Sequence, residues 1–205
     1  MGNGSVAVLR LIYDNKTLVF GEGFIFDKNL FMPLPDLDKV PEFYHNYIRQ
    51  ITEEDLSLVI VNHLQPLSSL LQAVSEEDWN YAYAPGKWTL KELVQHIIDG
   101  ERIFAYRALC IARGDQTSLP GFDENAYAAH SSANARSGAS ILEELHALDK
   151  STQCLFGSFN DEQLAATGIA NGKPISVNAI GYILAGHVLH HTRIIRERYL
   201  IVNLQ

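Results

Sequence analysis

From about residue 52 onward, hydrophobic positions recur every three or four residues, the spacing that puts side chains on one face of an α-helix. Leu56, Val59, Ile60, His63, Leu67, Leu70, Leu71 and Val74 form the first such stripe. Thr52-Glu53-Glu54-Asp55 precedes it, and acidic side chains there suit a helix N-terminus. Pro66 lies inside the stripe and predicts a kink or break. Ser75 to Lys87 reads as a loop, with Pro85-Gly86 its strongest breaker. A second helix opens on the capping-box sequence Thr89-Leu90-Lys91-Glu92 and runs to about Ala112. Its inward stripe is Leu93, His96, Ile97, Gly100, Phe104, Arg107, Ala108 and Ile111. Residues 114–137 are rich in Gly, Ser and Asn, and a connection of that length is functional or a crossover. A third helix is predicted over 139–158 with Leu142, Leu145, Leu148, Thr152, Leu155 and Phe159 inward. Asn160 to Ala166 adds a short turn. A fourth helix runs from Ser176 to about Leu200, with Val177, Ile180, Leu184, His187, His191, Ile194 and Arg198 inward. The pattern predicts an all-α chain, a four-helix bundle with its site between facing helices.

The first forty residues break this pattern. Val6 to Tyr13 and Thr17 to Phe20 flank Asp14-Asn15-Lys16 and read as a short β-hairpin, ended by Gly21-Glu22-Gly23. Pro33, Pro35 and Pro41 then mark a linker. Residues 1–40 are expected to be an extension packed on, or exchanged between copies of, a bundle at 41–205. Upstream sequence foreign to the bundle is the alternative, since Met32 would serve as a start.

Composition narrows the function classes. The 205 residues are 47% hydrophobic and 20% charged, as in a soluble globular domain with a sizeable core. The formal net charge of -8 argues against nucleic acid as a partner. No apolar run is long enough for a membrane span, and Met1-Gly2-Asn3-Gly4-Ser5 lacks the features of a secretory signal. Cys110 and Cys154 fall in separate helical patterns and are expected to be free, buried thiols in a cytoplasmic protein.

The candidate chemistry lies in the histidines. His187 and His191 are four residues apart on one helix face, and His96 stands on the stripe of another helix. Two imidazoles leave a metal shell unfinished, whereas a third from a facing helix gives three protein ligands and an open position, as catalytic sites have. His190 lies on a neighbouring flank and is read as a residue beside the site or at the surface. His63, on the first stripe, is either a core histidine or an extra ligand or substrate contact. Val188 follows His187 where a zinc-protease motif requires Glu, so a base must come from elsewhere. Asp99, one turn beyond His96, is a candidate to orient it or accept a proton, and otherwise a solvated carboxylate. Arg107 is a candidate contact for an anionic substrate group, and otherwise an ion pair with Glu101 or Glu197.

Several of these segments together resemble the DinB-like superfamily. They are Pro85-Gly86-Lys87-Trp88-Thr89-Leu90-Lys91-Glu92, His96-Ile97-Ile98-Asp99-Gly100-Glu101-Arg102 with Tyr106-Arg107, Arg113-Gly114-Asp115, Leu119-Pro120-Gly121-Phe122-Asp123, Gly186-His187-Val188-Leu189-His190-His191, and Arg196-Glu197-Arg198-Tyr199. The resemblance covers about residues 40–200. It implies a four-helix bundle, a homodimer, and a divalent metal, zinc or nickel, on His96, His187 and His191. Activities of the family include transferases that use a low-molecular-weight thiol. On that basis a metal-dependent S-transferase acting on a small electrophilic molecule is the leading expectation. A hydrolase using metal-bound water and a non-catalytic metal- or ligand-binding bundle are the alternatives. The hairpin before Pro33, and Pro66, depart from the family's pattern.

Overall fold

The computed structural model describes residues 12–14, 17–20 and 24–27 as backbone and residues 32–200 in full. Strands β1 (Ile12–Asp14), β2 (Thr17–Phe20) and β3 (Phe24–Asp27) pair antiparallel in the order β1-β2-β3, with Ile12 opposite Val19 and Phe20 opposite Phe24. The predicted hairpin is thus a three-stranded meander. The Gly21-Glu22-Gly23 stop precedes a third strand, whose Phe-Ile-Phe run carries the β-propensity of its neighbours. Val6 to Leu11, assigned above to the first strand, lie outside the described residues.

Helices follow in the order α1 (His45–Ile48), α2 (Leu56–Asn62), α3 (Gln65–Leu71), α4 (Leu90–Ala112), α5 (Glu124–His130), α6 (Gly138–Gly157), α7 (Asp161–Ala165) and α8 (Val177–Ile194). The first predicted helix divides at His63-Leu64. Pro66 then occupies the first turn of α3, where its missing N–H costs nothing. Asp55 caps α2 by accepting from Ser57 N. Thr89 and Glu92 form the expected reciprocal box at the start of α4. The predicted turn after α6 is α7, with its own box between Asn160 and Gln163.

Helices α2–α3, α4, α6 and α8 form a closed ring: α4 packs on α8, α8 on α2, α2 on α6, and α6 on α4. Two apolar clusters fill it. One holds Val59, Ile60, Phe104, Ala108, Phe156 and Val177 to Ala185. The other holds Leu64, Leu67, Leu93, Ile97, Ile141, Leu145 and Val188. Read along each helix, α2–α3 and α8 run from the first cluster to the second, and α4 and α6 run from the second to the first. Neighbours α4 and α6 are therefore parallel, and residues 113–137 are the crossover that makes them so. The crossover contains α5, which the sequence reading leaves as loop. Its Leu119 pairs with Ala170 on a second small sheet, β4 (Thr167–Ala170) and β5 (Lys173–Ser176), joined by Asn171 and Gly172 at φ 50° and 71°.

Helix α8 is buried on every side from Val177 to Val188. Two predicted stripes need correction. On α6 the enclosed positions are Ile141, Leu145, Thr152 and Phe156, while Leu142, Leu148 and Leu155 are half-buried. Cys154 is consequently exposed and Cys110 half-buried, both free. After α8 the helix widens into a π turn over Ile195–Tyr199, which buries Ile195 and Tyr199 in place of the predicted Ile194 and Arg198. No helix among the described residues is long and apolar enough to cross a membrane.

Candidate metal centre

The two apolar clusters meet at mid-bundle, and polar side chains occupy the seam. On α4 the break falls between Ile98 and Phe104, and on α8 between Ala185 and Val188. His187 lies in the break on α8, and His96 and His191 stand among the second-cluster residues next to it. The Nε2 atom of His187 lies 3.0 Å from that of His96 and 3.1 Å from that of His191. All three rings are buried, and their centroids are 4.5–5.0 Å apart. Gly100 makes room for this: a Cβ there would lie 3.0 Å from His187 Cε1. Trp88 packs on His96 at 4.9 Å and Tyr47 packs edge-on to His187 at 5.6 Å.

Burial disfavours the charged imidazolium at each position, and neighbouring imidazoles add to it. His96 is pushed down to about 4, and His187 and His191 well below the usual histidine range. The three rings are therefore neutral near pH 7, and the nitrogens they turn toward one another carry at most one proton each. Neutral imidazole is the form that binds metal. Two nitrogens held at right angles by one cation at about 2.1 Å stand about 3.0 Å apart, close to the separations seen. His191 Nδ1 is buried without a hydrogen-bond partner. The residues present fit a single divalent cation.

Two clefts flank the imidazoles. One, of about 160 Å³, is bordered by His96, His187, Tyr44, Arg107, Phe122 and Glu124. The other, of about 250 Å³, reaches His191 past Tyr83, Lys87, Trp88, Asn125 and Tyr199. Arg107 Nη2 donates to Pro120 O at 2.6 Å, fixing the crossover rather than pairing with Glu101 or Glu197. It sits beside Tyr44, whose phenol burial raises while Arg107 partly offsets the shift.

Asp99 Oδ1 accepts from Gln95 Nε2 at 3.0 Å and lies 3.8 Å from Arg102, and Asp99 borders neither cleft. His190 is half-buried against Tyr47. His63 does not join the three rings: it faces Glu101 and Asp149 across the bundle. Sequence reasoning missed Tyr44, Tyr47, Glu124 and Asn125 as cleft residues. Glu124 and Asn125 stand on α5, which has a single buried residue, Ala128, and hence no apolar stripe to reveal it. Trp88 was visible only within the segment Pro85 to Glu92.

A curated protein of Oceanobacillus iheyensis, named provisionally as a metal-dependent hydrolase, is 26% identical over 153 residues, 73% of this chain and 82% of its own. The structure of YfiT from Bacillus subtilis, described as a probable metal-dependent hydrolase with an unusual four-helix bundle topology, superposes with a TM-score of 0.55. Its identity is 18%, over 82% of this chain and 97% of its own. That likeness is one of fold, to a four-helix bundle. The sequence profile of the DinB superfamily matches residues 59–195, and the chain belongs to that superfamily.

Proposed function

We propose that the chain is a divalent-metal-dependent enzyme acting on a small molecule, and that its reaction is hydrolysis. The convergence of three buried, neutral imidazole nitrogens carries this reading. His96, His187 and His191 would hold the ion, zinc or nickel by the chemistry of an all-nitrogen donor set. When bound, such an ion acts as a Lewis acid and lowers the pKa of a water or thiol in its open position. Three neutral ligands leave its charge of two undiminished. The chain's own groups do the rest. Arg107 and Tyr44 offer donors to an anionic or carbonyl oxygen in the smaller cleft. Glu124, from α5, is the carboxylate bordering that cleft for taking up a proton. Phe104 and Phe122 supply apolar surface beside these groups, which lowers the local dielectric and strengthens the polar contacts they border. Asp99 acts on α4 through Gln95 and Arg102 rather than on substrate.

A second reading, S-transfer from a low-molecular-weight thiol, is favoured by one observation. Two separate clefts reach the three-histidine centre, one at His96 and His187 and the other at His191, each with a cationic side chain, Arg107 in the first and Lys87 in the second. Two-substrate chemistry needs two such approaches, whereas hydrolysis needs one. The test is turnover of a panel of esters, amides and electrophilic aryl or epoxide compounds by zinc- or nickel-loaded protein, with and without a thiol. Turnover without thiol supports hydrolysis, and strict thiol dependence supports transfer. If the loaded protein and its His191→Ala variant are equally inert toward the whole panel, the catalytic reading fails.

A further inference from the structure

The polar seam holds a second cluster on the other side of α4. Glu101 follows His96 by five residues, about 140° around the helix, so the two side chains leave α4 in different directions. His63, at the division between α2 and α3, and Asp149, on α6, meet Glu101 there. His63 Nε2 lies 4.0 Å from Glu101 Oε2 and 3.9 Å from Asp149 Oδ1. The His63 and Glu101 side chains are 0% and 1% exposed, and Asp149 is 16% exposed.

The outer atom of each group is already engaged. His63 Nδ1 meets the Ile60 carbonyl at 2.7 Å, so Nδ1 carries the proton and, in the neutral ring, Nε2 presents a lone pair. Thr152 Oγ1 donates to Glu101 Oε1 at 2.6 Å, and Gln153 Nε2 donates to Asp149 Oδ2 at 3.0 Å. The three inner atoms, His63 Nε2, Glu101 Oε2 and Asp149 Oδ1, have no hydrogen-bond partner. Three buried acceptors aimed at one another without a donor are costly. A proton on Nε2 would satisfy only one carboxylate, and 3.9–4.0 Å is too long for that hydrogen bond. A centre among atoms so spaced lies about 2.3–2.5 Å from each, within the reach of a divalent cation.

We propose that His63, Glu101 and Asp149 form a second divalent-cation site. Its chemistry differs from that of the three histidines. One imidazole and two carboxylates suit a harder ion such as Mn²⁺, as well as Zn²⁺. The two carboxylate charges cancel the ion's, so the site is electrically neutral and clamps α2–α3, α4 and α6 together rather than activating a ligand. A groove of about 260 Å³ along Leu64, Ser68 and His146 reaches Asp149 and supplies the access route.

The test is Mn²⁺ binding to metal-free full-length protein, counted per chain, in the wild type and in Asp149→Asn, Glu101→Gln and His191→Ala. The His191→Ala variant is expected to keep one Mn²⁺ site of wild-type affinity. Asp149→Asn and Glu101→Gln, which preserve shape and outer hydrogen-bonding positions, are expected to bind Mn²⁺ at least tenfold more weakly while still loading nickel. Crystals of the wild type soaked in Mn²⁺ need no variant to fold: an anomalous peak between the three inner atoms supports the site. Unchanged Mn²⁺ affinity in both carboxamide variants, or no anomalous signal at that position, overturns it.

Discussion

At the scale of single residues, His187 is the pivot, because its Nε2 touches both of the others. His191→Ala removes one of three donors and is expected to weaken zinc or nickel binding by more than about a hundredfold, measured by competition with a chromogenic chelator. Gly100 gives a sharper discrimination. Replacing it with Ala puts a Cβ 3.0 Å from the His187 ring, yet adds up to about 1 kcal/mol of helix propensity. The Gly100→Ala protein is expected to be as stable as the wild type without metal, or more so, and to bind zinc about tenfold more weakly. Thermal melts of the metal-free and loaded forms separate the two effects. Arg107→Gln is expected to raise KM for an anionic substrate while leaving metal content unchanged, since the guanidinium binds Pro120 O and borders the cleft without meeting the imidazoles.

At the scale of elements, the ends of α4 and the contacts of α6 set the frame. Thr89→Ala removes the capping box and is expected to cost about 1 kcal/mol in denaturant melts. Glu144 ties α6 to α4 and to the crossover: it is bridged by Arg102 at 2.6 Å and by Arg136. Burial by itself raises the Glu144 carboxyl, but the two guanidinium groups outweigh it and hold it below its ordinary value of 4.5. The unfolded chain therefore binds the proton first, so this contribution is complete above pH 4.5 and is lost as pH falls through the lower folded value. Glu144→Gln is expected to be about 1–2 kcal/mol less stable at pH 7, with the difference from wild type vanishing in acid. The long helices were legible because each has a buried stripe and a chemical cap. Among the short elements, β1, β2 and the capped α7 were legible, and α5 and the β4–β5 pair were not. Helix α5 buries Ala128 alone, and the β4–β5 pair is four residues a side with Pro174 in one strand. Its Asn171-Gly172 turn was a usable signal that went unread. The three-histidine grouping was legible from spacing on α4 and α8. The fate of His63 was not, because it depends on Glu101 and Asp149 from two other helices, and no local pattern records such a meeting.

For the whole molecule, the seam between two apolar clusters means that polar chemistry is built into the middle of the bundle. Filling the three-histidine centre is expected to raise the melting temperature. Zinc at a hundred times its Kd adds about 2.7 kcal/mol, or roughly 5–10 °C for a chain of this size. Scanning calorimetry at several zinc concentrations checks it, and His191→Ala should show no such shift from that centre. The N-terminal side of the bundle is held by Tyr182, whose hydroxyl donates to Met32 O or Glu54 O at 3.0 and 2.8 Å. At the opposite end, the π turn over Ile195–Tyr199 points the Tyr199 hydroxyl at the carbonyl of Trp88, 2.8 Å away. Trp88 in turn lies on His96. That wide turn makes the cleft wall there sensitive to how the helix is wound. An exchange that restored ordinary winding without removing a residue would carry the Tyr199 phenol off the Trp88 carbonyl and release the wall behind His96. The width of one helical turn thus sets the cleft wall at this end of α8, whereas exchanges of the exposed Arg196 and Glu197 leave that wall intact.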